Sequence, residues 1–185
     1  MLELGTTAPA FQLNAPDGTA HTNETVMGPN GLLVCFLCNH CPFVKHVGEE
    51  LGRLAAELPP QGIGMVGIMS NDIERYPDDA PDKMAVTASE YGWSFPYLHD
   101  ATQEVAKTYH AACTPDFFLF DGTGKLVYRG QLDDSRPNSE LAVDGTDIRE
   151  AIAGLLNNEP PQSTQKPALG CGIKWVPGNE PEYAT

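Results

Sequence analysis

Long apolar segments are missing from this sequence. No apolar run approaches the roughly 20 residues that a membrane-spanning helix needs. Residues 1–5 have neither the basic start nor the long apolar stretch of a secretory signal. We therefore expect a protein without membrane contacts that stays in the cytoplasm.

Basic residues are also scarce, with 11 Lys and Arg against 25 Asp and Glu and a formal net charge of −14. A surface of this charge repels phosphate backbones, so nucleic acid is excluded as an expected partner. The chain has no internal repeat, and its 185 residues, 41% of them hydrophobic, are enough for one ordinary core.

The five cysteines are too few and too spread out for a disulfide-stabilised scaffold. Two of them, Cys38 and Cys41, enclose Asn-His in a Cys-x-x-Cys motif, and no second motif of this kind follows. In a reducing compartment, a close pair such as this indicates either redox catalysis or metal binding.

Hydrophobic periodicity predicts a chain in which strands and helices alternate. Pro42 can open a helix, and apolar residues at spacings of three and four follow it until Pro59-Pro60 ends the helix. The other predicted elements are a hairpin in 11–22, strands at 32–37, 63–69 and 95–98, a solvated loop at 71–82, helices at 83–91, 102–110 and 147–157, and a hairpin at 117–129.

The predicted fold is α/β, with a mixed central sheet flanked by helices, an N-terminal hairpin and a C-terminal extension. Residues 1–157 would form the domain. Residues 158–185, which carry five prolines and little periodicity, would form a C-terminal tail packing on that domain.

The predicted helix begins directly after Cys41, so its free N–H groups and its dipole would favour thiolates at the motif. On this basis, Cys38 is the better exposed thiol and the nucleophile, and Cys41 resolves the mixed disulfide. His40, if protonated, would further stabilise the Cys38 thiolate. A stabilised thiolate makes the couple more oxidising, which predicts a potential above the roughly −270 mV of thioredoxin.

Metal binding is the competing interpretation. Cys38, His40, Cys41 and His46 offer four zinc-type ligands, but structural zinc sites usually recruit a second pair from elsewhere in the chain. A copper site would add His99 or His110 to the two thiols. We therefore expect no resident metal and no cofactor.

Four segments of the chain resemble one known family. Gly5–Phe11 with Asp17-Gly18, Cys38–His46, Thr114–Asp121 and Gly170–Trp175 are similar to segments of peroxiredoxin-like proteins of the thioredoxin family, the AhpC/TSA and redoxin group. The resemblance spans most of the chain and implies a thioredoxin-like fold. It also implies that Pro115 is a cis-proline beside the dithiol, where Thr114 presents its backbone to a substrate peptide.

The same resemblance exposes departures from the peroxidases of the group. If Cys41 is aligned with the peroxidatic cysteine, Cys38 replaces the Thr/Ser that orients peroxide, Val34 replaces a proline, and the arginine position falls near Pro115. The groups that orient and polarise peroxide in those peroxidases are thus missing from this chain, so peroxidase activity is the second choice. Thioredoxin itself has a buried acid where this chain has Leu32.

The remaining cysteines receive separate interpretations. Cys35 is expected to be an inert core residue. Cys113 stands two residues before Pro115 and is either a third redox thiol or a packing residue. Cys171 lies between two glycines, and is either an anchor of the tail beside Trp175 or a resolving thiol.

The sequence thus predicts a thiol–disulfide oxidoreductase whose site residues are Cys38, Cys41, His40, Thr114 and Pro115, with Cys113 and Cys171 as additional candidates. Its partners would be protein or low-molecular-weight disulfides and thiols, a separate electron donor, and a second copy of the chain in a homodimer. The alternatives are a thiol-dependent peroxidase and a zinc- or copper-binding module.

Overall fold

A computed structural model describes residues 2–184 of the chain. Its central sheet is mixed, with strand orders β2-β1-β5-β4 and β3-β7-β8. The two groups meet beside β3, where the Leu37 N–H donates to the Ile68 carbonyl at 2.9 Å. The strands are β1 Gln12–Asn14, β2 Ala20–Thr22, β3 Gly31–Phe36, β4 Ile63–Met69, β5 Tyr97–His99, β6 Cys113–Thr114, β7 Asp116–Asp121, β8 Leu126–Gly130 and β9 Cys171–Gly172.

The strand directions follow from the connections. The hairpins β1–β2 and β7–β8 are antiparallel, as is the pairing of β3 with β7. Strands β4 and β5 are parallel because α3 crosses between them. The helices are α1 Asn23–Val26, α2 Pro42–Glu57, α3 Pro81–Tyr91, α4 Glu104–Thr108 and α5 Thr146–Leu156.

Helices cover both faces of the sheet, so the central strands are buried on both sides. In β3, Leu33 and Cys35 face the core under α2, α3 and α5, whereas Leu32, Val34 and Phe36 face the core under α1 and α4. This two-sided burial explains why β3 is a continuous apolar run rather than an alternating one.

Most of the predicted elements are confirmed. Helix α2 begins at Pro42 and ends just before Pro59-Pro60, and its apolar stripe is buried. Both hairpins and the strands around 32–37, 63–69 and 95–98 are present, with boundaries shifted by up to two residues. The helix expected at 102–110 is shorter, Glu104–Thr108.

The prediction of a solvated loop at 71–82 is wrong in part. Asn71, Asp72 and Asp79 are buried, a 3-10 turn spans Pro77–Asp79, and α3 already begins at Pro81. The segment folds over the Cys-x-x-Cys loop, whose backbone N–H groups satisfy the Asp79 carboxylate. A carboxylate is rarely buried unless it is paired in this way, and composition alone did not reveal the pairing.

The C-terminal tail returns to the end of the sheet that carries the Cys-x-x-Cys motif. Its strand β9 pairs antiparallel with β6, with Thr114 opposite Cys171 and Cys113 opposite Gly172. Ile173 and Trp175, just beyond β9, are buried in the core under α4. The division of the chain at residue 157 stays a prediction. Within residues 2–184, no helix combines the length and apolarity needed to cross a membrane.

Candidate active site

The Cys-x-x-Cys motif lies where β3 gives way to α2. Cys41 is the N-cap residue of α2 and Pro42 occupies the first helical turn. No oxygen-bearing side chain occupies this helix start, so its N–H groups are available to the Cys41 sulfur. The Val44 N–H, in the first turn, takes Cys41 sulfur as its acceptor.

The exposure of the two thiols differs from the prediction. Cys38 was expected to be the better exposed thiol, but both Cys38 and Cys41 are 0% exposed. The hydrogen bond from Cys38, together with those from Cys171 and the Val44 N–H, lowers the pKa of Cys41 to about 4 against the opposing effect of burial. The hydrogen bond to Cys41, burial and the negative charge of Asp79 raise the pKa of Cys38 far above its ordinary value.

This reversal has a simple physical origin. Two adjacent thiols cannot both ionise readily, so the sulfur with more N–H and S–H donors takes the charge. Cys41 sits on the helix start itself, whereas Cys38 faces a buried carboxylate. The sequence placed the thiolate on Cys38, whereas in the structure the donors at the helix start lie against Cys41.

The segment at Pro115 lies against both sulfurs. The Thr114–Pro115 peptide bond is cis, as the resemblance implied. Thr114 Oγ1 is 3.2 Å from Cys38 Sγ, and its carbonyl oxygen is 3.3 Å from Cys41 Sγ. Thr114 does not offer a free strand edge, however, because β9 already occupies it.

A third thiol completes the group. Cys171 Sγ is 2.7 Å from Cys41 Sγ, and its side chain is partly exposed. Burial and the neighbouring Cys41 raise the pKa of Cys171 to about 11. Cys171, which the sequence left between anchor and redox thiol, therefore lies in direct contact with the predicted dithiol.

The other two cysteines do not make such contacts. Cys113 is buried, its S–H donates to the Pro115 carbonyl at 3.6 Å, and burial raises the pKa of its thiol. Cys35 is fully buried inside β3, where burial raises its pKa as well. Cys113 lies near the site without touching its sulfurs, and Cys35 is a core residue as predicted.

Asp79 holds the motif loop together and is the main site residue that the sequence analysis missed. Its carboxylate accepts from the N–H groups of Asn39 at 2.7 Å and His40 at 3.2 Å. It also accepts from His40 Nδ1 at 2.7 Å and from Asn71 Nδ2 at 2.8 Å. His40 is thereby held by Asp79 and contacts neither thiol through its Nδ1.

Asn39 and His40 have further partners that fix the loop. The Tyr97 hydroxyl donates to Asn39 Oδ1 at 3.1 Å. The imidazole of His40 stacks on Tyr76, with centroids 5.5 Å apart and planes 13° apart. Composition indicated only that 71–82 is acidic, because the contacts that join Asn39 and His40 to Asp79 and Tyr97 span 39 residues or more of sequence.

The candidate metal ligands do not gather as the metal interpretation required. Among the described residues, the one group of ligand atoms within 4.8 Å of one another is Cys38, His40 and Asp79. Its carboxylate already accepts four hydrogen bonds, which a metal ion would have to disrupt. His46 instead bonds Ser135 Oγ at 3.0 Å, and His110 stacks on Tyr183.

A buried acid also lies next to the cis-proline. Asp116 is 7% exposed, and burial raises its pKa to about 7 in spite of N–H donors at Ala112 and Phe117. It stands at the start of β7 and one residue after Pro115, whereas the acid sought at position 32 is absent. Burial therefore favours the protonated form of Asp116 beside the cis-proline.

The fold and site together define a thioredoxin-fold protein of the redoxin class: a mixed sheet, a Cys-x-x-Cys at a helix start and a facing cis-proline. The AhpC/TSA family model matches residues 4–129. The chain belongs to the AhpC/TSA family.

Two solved structures are similar to nearly the whole chain. An uncharacterized conserved protein from Geobacillus kaustophilus is 52% identical, with a TM-score of 0.93 over 96% of this chain and 95% of that chain. A hypothetical protein from Sinorhizobium meliloti 1021 is 42% identical, with a TM-score of 0.93 over 96% and 97% of the two chains.

A more distant structure shares the fold. A secreted Mycobacterium tuberculosis disulfide oxidoreductase homologous to E. coli DsbE is 19% identical, with a TM-score of 0.60 over 78% of this chain and 95% of that chain. No curated protein sequence matches the chain.

Proposed function

We propose that this protein is a thiol–disulfide oxidoreductase that uses Cys38 and Cys41 to reduce or exchange disulfides. One observation carries the proposal: the Cys41 sulfur lies at the start of α2, where the pKa of its thiol falls to about 4, and a second thiol is within hydrogen-bonding contact. A stable thiolate beside a protonated thiol is the arrangement that disulfide exchange requires.

Cys41 is the nucleophile in this proposal. Its thiolate attacks one sulfur of a substrate disulfide, and the other substrate sulfur leaves with the electron pair. The mixed disulfide removes the negative charge from Cys41, so the main cause that raises the Cys38 pKa disappears. Cys38 then attacks Cys41 Sγ, its proton passes to the departing substrate thiolate, and a Cys38–Cys41 disulfide remains.

Thr114 and Pro115 position the two sulfurs, and His40 acts through Asp79 rather than on sulfur. The substrate would be a protein or low-molecular-weight disulfide, and a thiol donor would restore the reduced state. Strand β9 covers Cys41, so the substrate and β9 compete for the edge of β6. No metal or cofactor takes part.

Single-cysteine variants test the proposal. The reduction of a disulfide-bonded peptide by the reduced protein should fall at least about 100-fold in Cys41→Ser, which lacks the nucleophile. Cys38→Ser should accumulate a mixed disulfide on Cys41, visible as added mass. Cys35→Ala, which alters a core cysteine outside the site, is the control and should react like the parent. A Cys41→Ser variant with full activity contradicts the proposal.

Thiol-dependent peroxidase activity is the second candidate, and one observation favours it. The low-pKa thiol is Cys41, the position that the resemblance aligns with the peroxidatic cysteine. Within residues 2–184, however, no hydrogen bond or ion pair joins an arginine to Cys41, so the charge that steadies peroxide is missing. Peroxide consumption that persists in Cys38→Ser and vanishes in Cys41→Ser would favour this activity.

A further inference from the structure

Strand β9 occupies the place where a substrate peptide would bind. The backbone of Cys171 pairs with Thr114, the residue before the cis-proline, and Cys113 pairs with Gly172. The tail thus lies across the dithiol as an added strand, and it places a cysteine over Cys41. Both thiols of the motif are fully buried beneath it, whereas Cys171 is partly exposed.

The tail is fixed on both sides of Cys171. On the upstream side, a Cβ at Gly170 would lie 2.1 Å from the Thr114 carbonyl oxygen, so only glycine can pass the cis-proline this closely. On the downstream side, the Lys174 N–H donates to Asn71 Oδ1 at 2.8 Å, and the Asp72 N–H donates to the Lys174 carbonyl at 2.8 Å.

Those downstream contacts connect the tail to the active-site loop. Asn71 also donates to Asp79, the carboxylate that holds the Cys-x-x-Cys turn. Gln103, 1% exposed, donates to the carbonyls of Ser70 and Lys174 at 2.7 and 3.0 Å. One buried network therefore sets the positions of the motif and of Cys171 relative to each other.

We propose that Cys171 is a third redox thiol, which takes over the disulfide from Cys38 and passes it to an external thiol donor. The proposal rests on the proposed disulfide chemistry of Cys38 and Cys41. The 2.7 Å between the Cys41 and Cys171 sulfurs exceeds the length of a disulfide bond by only about 0.7 Å.

The first step is an internal exchange. After substrate leaves and β9 returns to β6, the Cys171 sulfur attacks Cys41 Sγ of the Cys38–Cys41 disulfide. The Cys41–Cys171 bond forms, the Cys38–Cys41 bond breaks, and its electron pair goes to Cys38 together with the proton that Cys171 loses. Because Cys41 carries no charge in its disulfide, two causes of the high Cys171 pKa are absent at this stage.

The second step uses an external thiol. A donor thiolate attacks Cys171, the partly exposed sulfur, and Cys41 leaves as the thiolate that the start of α2 stabilises. A low-pKa thiol is the faster leaving group, so attack at Cys171 is favoured chemically as well as sterically. A second donor thiol then attacks the mixed disulfide, releases Cys171 as a thiol and leaves the donor as its disulfide.

Disulfide mapping tests the internal exchange. The full chain is equilibrated with oxidised glutathione, free thiols are blocked at low pH, and the linked peptides are identified by mass spectrometry. We expect both Cys38–Cys41 and Cys41–Cys171 disulfides in the parent. Gly170→Ala should lose the Cys41–Cys171 bond because the tail cannot pass Thr114. Gly172→Ala, on the other flank of Cys171, meets no atom within 4 Å and should retain the bond.

Reduction kinetics test the second step. In Cys171→Ser the new side chain is similar in size to cysteine, so the tail stays docked. The Cys38–Cys41 disulfide therefore remains covered. We expect glutathione to reduce oxidised Cys171→Ser roughly tenfold more slowly than the parent, or slower still. Equal reduction rates, or a parent that never contains the Cys41–Cys171 bond, would overturn the role of Cys171 and leave Cys38–Cys41 chemistry intact. Absence of any disulfide at Cys41 would overturn the proposed function as well.

Discussion

At the scale of single residues, the site depends on which sulfur carries charge. Cys38 and Cys41 are chemically identical side chains three positions apart, and the difference between them is environmental. Cys41 receives the Val44 N–H at the helix start, whereas Cys38 faces the carboxylate of Asp79. Sequence spacing indicates that a thiolate is stabilised, but the choice of sulfur depends on donors that only the folded loop provides.

Asp79 is the residue whose removal should loosen the active-site loop most. Asp79→Asn removes a buried charge that accepts from Asn39, His40 and Asn71, so we expect a loss of about 3 kcal/mol in the free energy of unfolding. Urea titration of the reduced protein measures it. The matched control is Asp78→Asn, since the Asp78 side chain is exposed and only its backbone carbonyl contacts the loop. Equal losses of unfolding free energy in the two variants would show that the buried carboxylate of Asp79 does not stabilise the loop.

At the scale of elements, periodicity predicted the structure where burial was regular. Helix α2, with its apolar stripe from Val44 to Leu58, was predicted because its pattern, its opening proline and its terminating prolines all agree. Strand β3 was predicted because burial on both faces leaves an uninterrupted apolar run. The prediction of a solvated loop at 71–82 was wrong in part because some of its polar residues are buried through long-range hydrogen bonds, which composition does not encode.

The start of β7 carries a pH-sensitive group. Burial raises the pKa of Asp116 from 3.8 to about 7, so the folded protein binds this proton more tightly than the unfolded chain. The resulting stabilisation is complete below pH 3.8 and is lost as pH rises through about 7. Across this range, the free energy of unfolding of the parent should fall by on the order of 4 kcal/mol more than that of Asp116→Asn.

Unfolding of parent and variant by urea at pH 4 and pH 8 measures this difference. Effects of all other groups cancel in the comparison. Asp82→Asn, which changes an exposed carboxyl in the first turn of α3, should run parallel to the parent at both pH values. If Asp116→Asn also runs parallel to the parent, Asp116 is not held in its protonated form.

At the scale of the whole molecule, the C-terminal tail closes the site. The sequence marked Cys171 and its glycines but could not place them, because a segment rich in proline and without periodicity carries no signal for its docking partner. In the structure, two residues fix where the tail docks: Gly170 lets the tail pass close to Thr114, and Trp175 is buried under α4. Cys38 was predicted to be the better exposed thiol of the motif, whereas the structure buries both Cys38 and Cys41 and places the Cys171 sulfur against Cys41.

This arrangement also bears on the predicted redox potential. A Cys41 thiolate stabilised at the helix start favours the reduced state, so the couple should be more oxidising than thioredoxin, above roughly −270 mV. Equilibration of the Cys171→Ser variant with glutathione buffers isolates the Cys38–Cys41 couple and measures its potential. A value at or below that of thioredoxin would mean that the helix start does not stabilise the thiolate.

We expect Cys41 to be a thiolate at neutral pH because its sulfur lies at the start of α2. The most direct measurement is the thiolate absorbance near 240 nm of the reduced protein as a function of pH, for the parent and for Cys41→Ser. We predict a transition with a midpoint of about pH 4 in the parent that is absent in Cys41→Ser. A parent that shows no thiolate below pH 8, or an acid transition that survives in Cys41→Ser, would contradict the account.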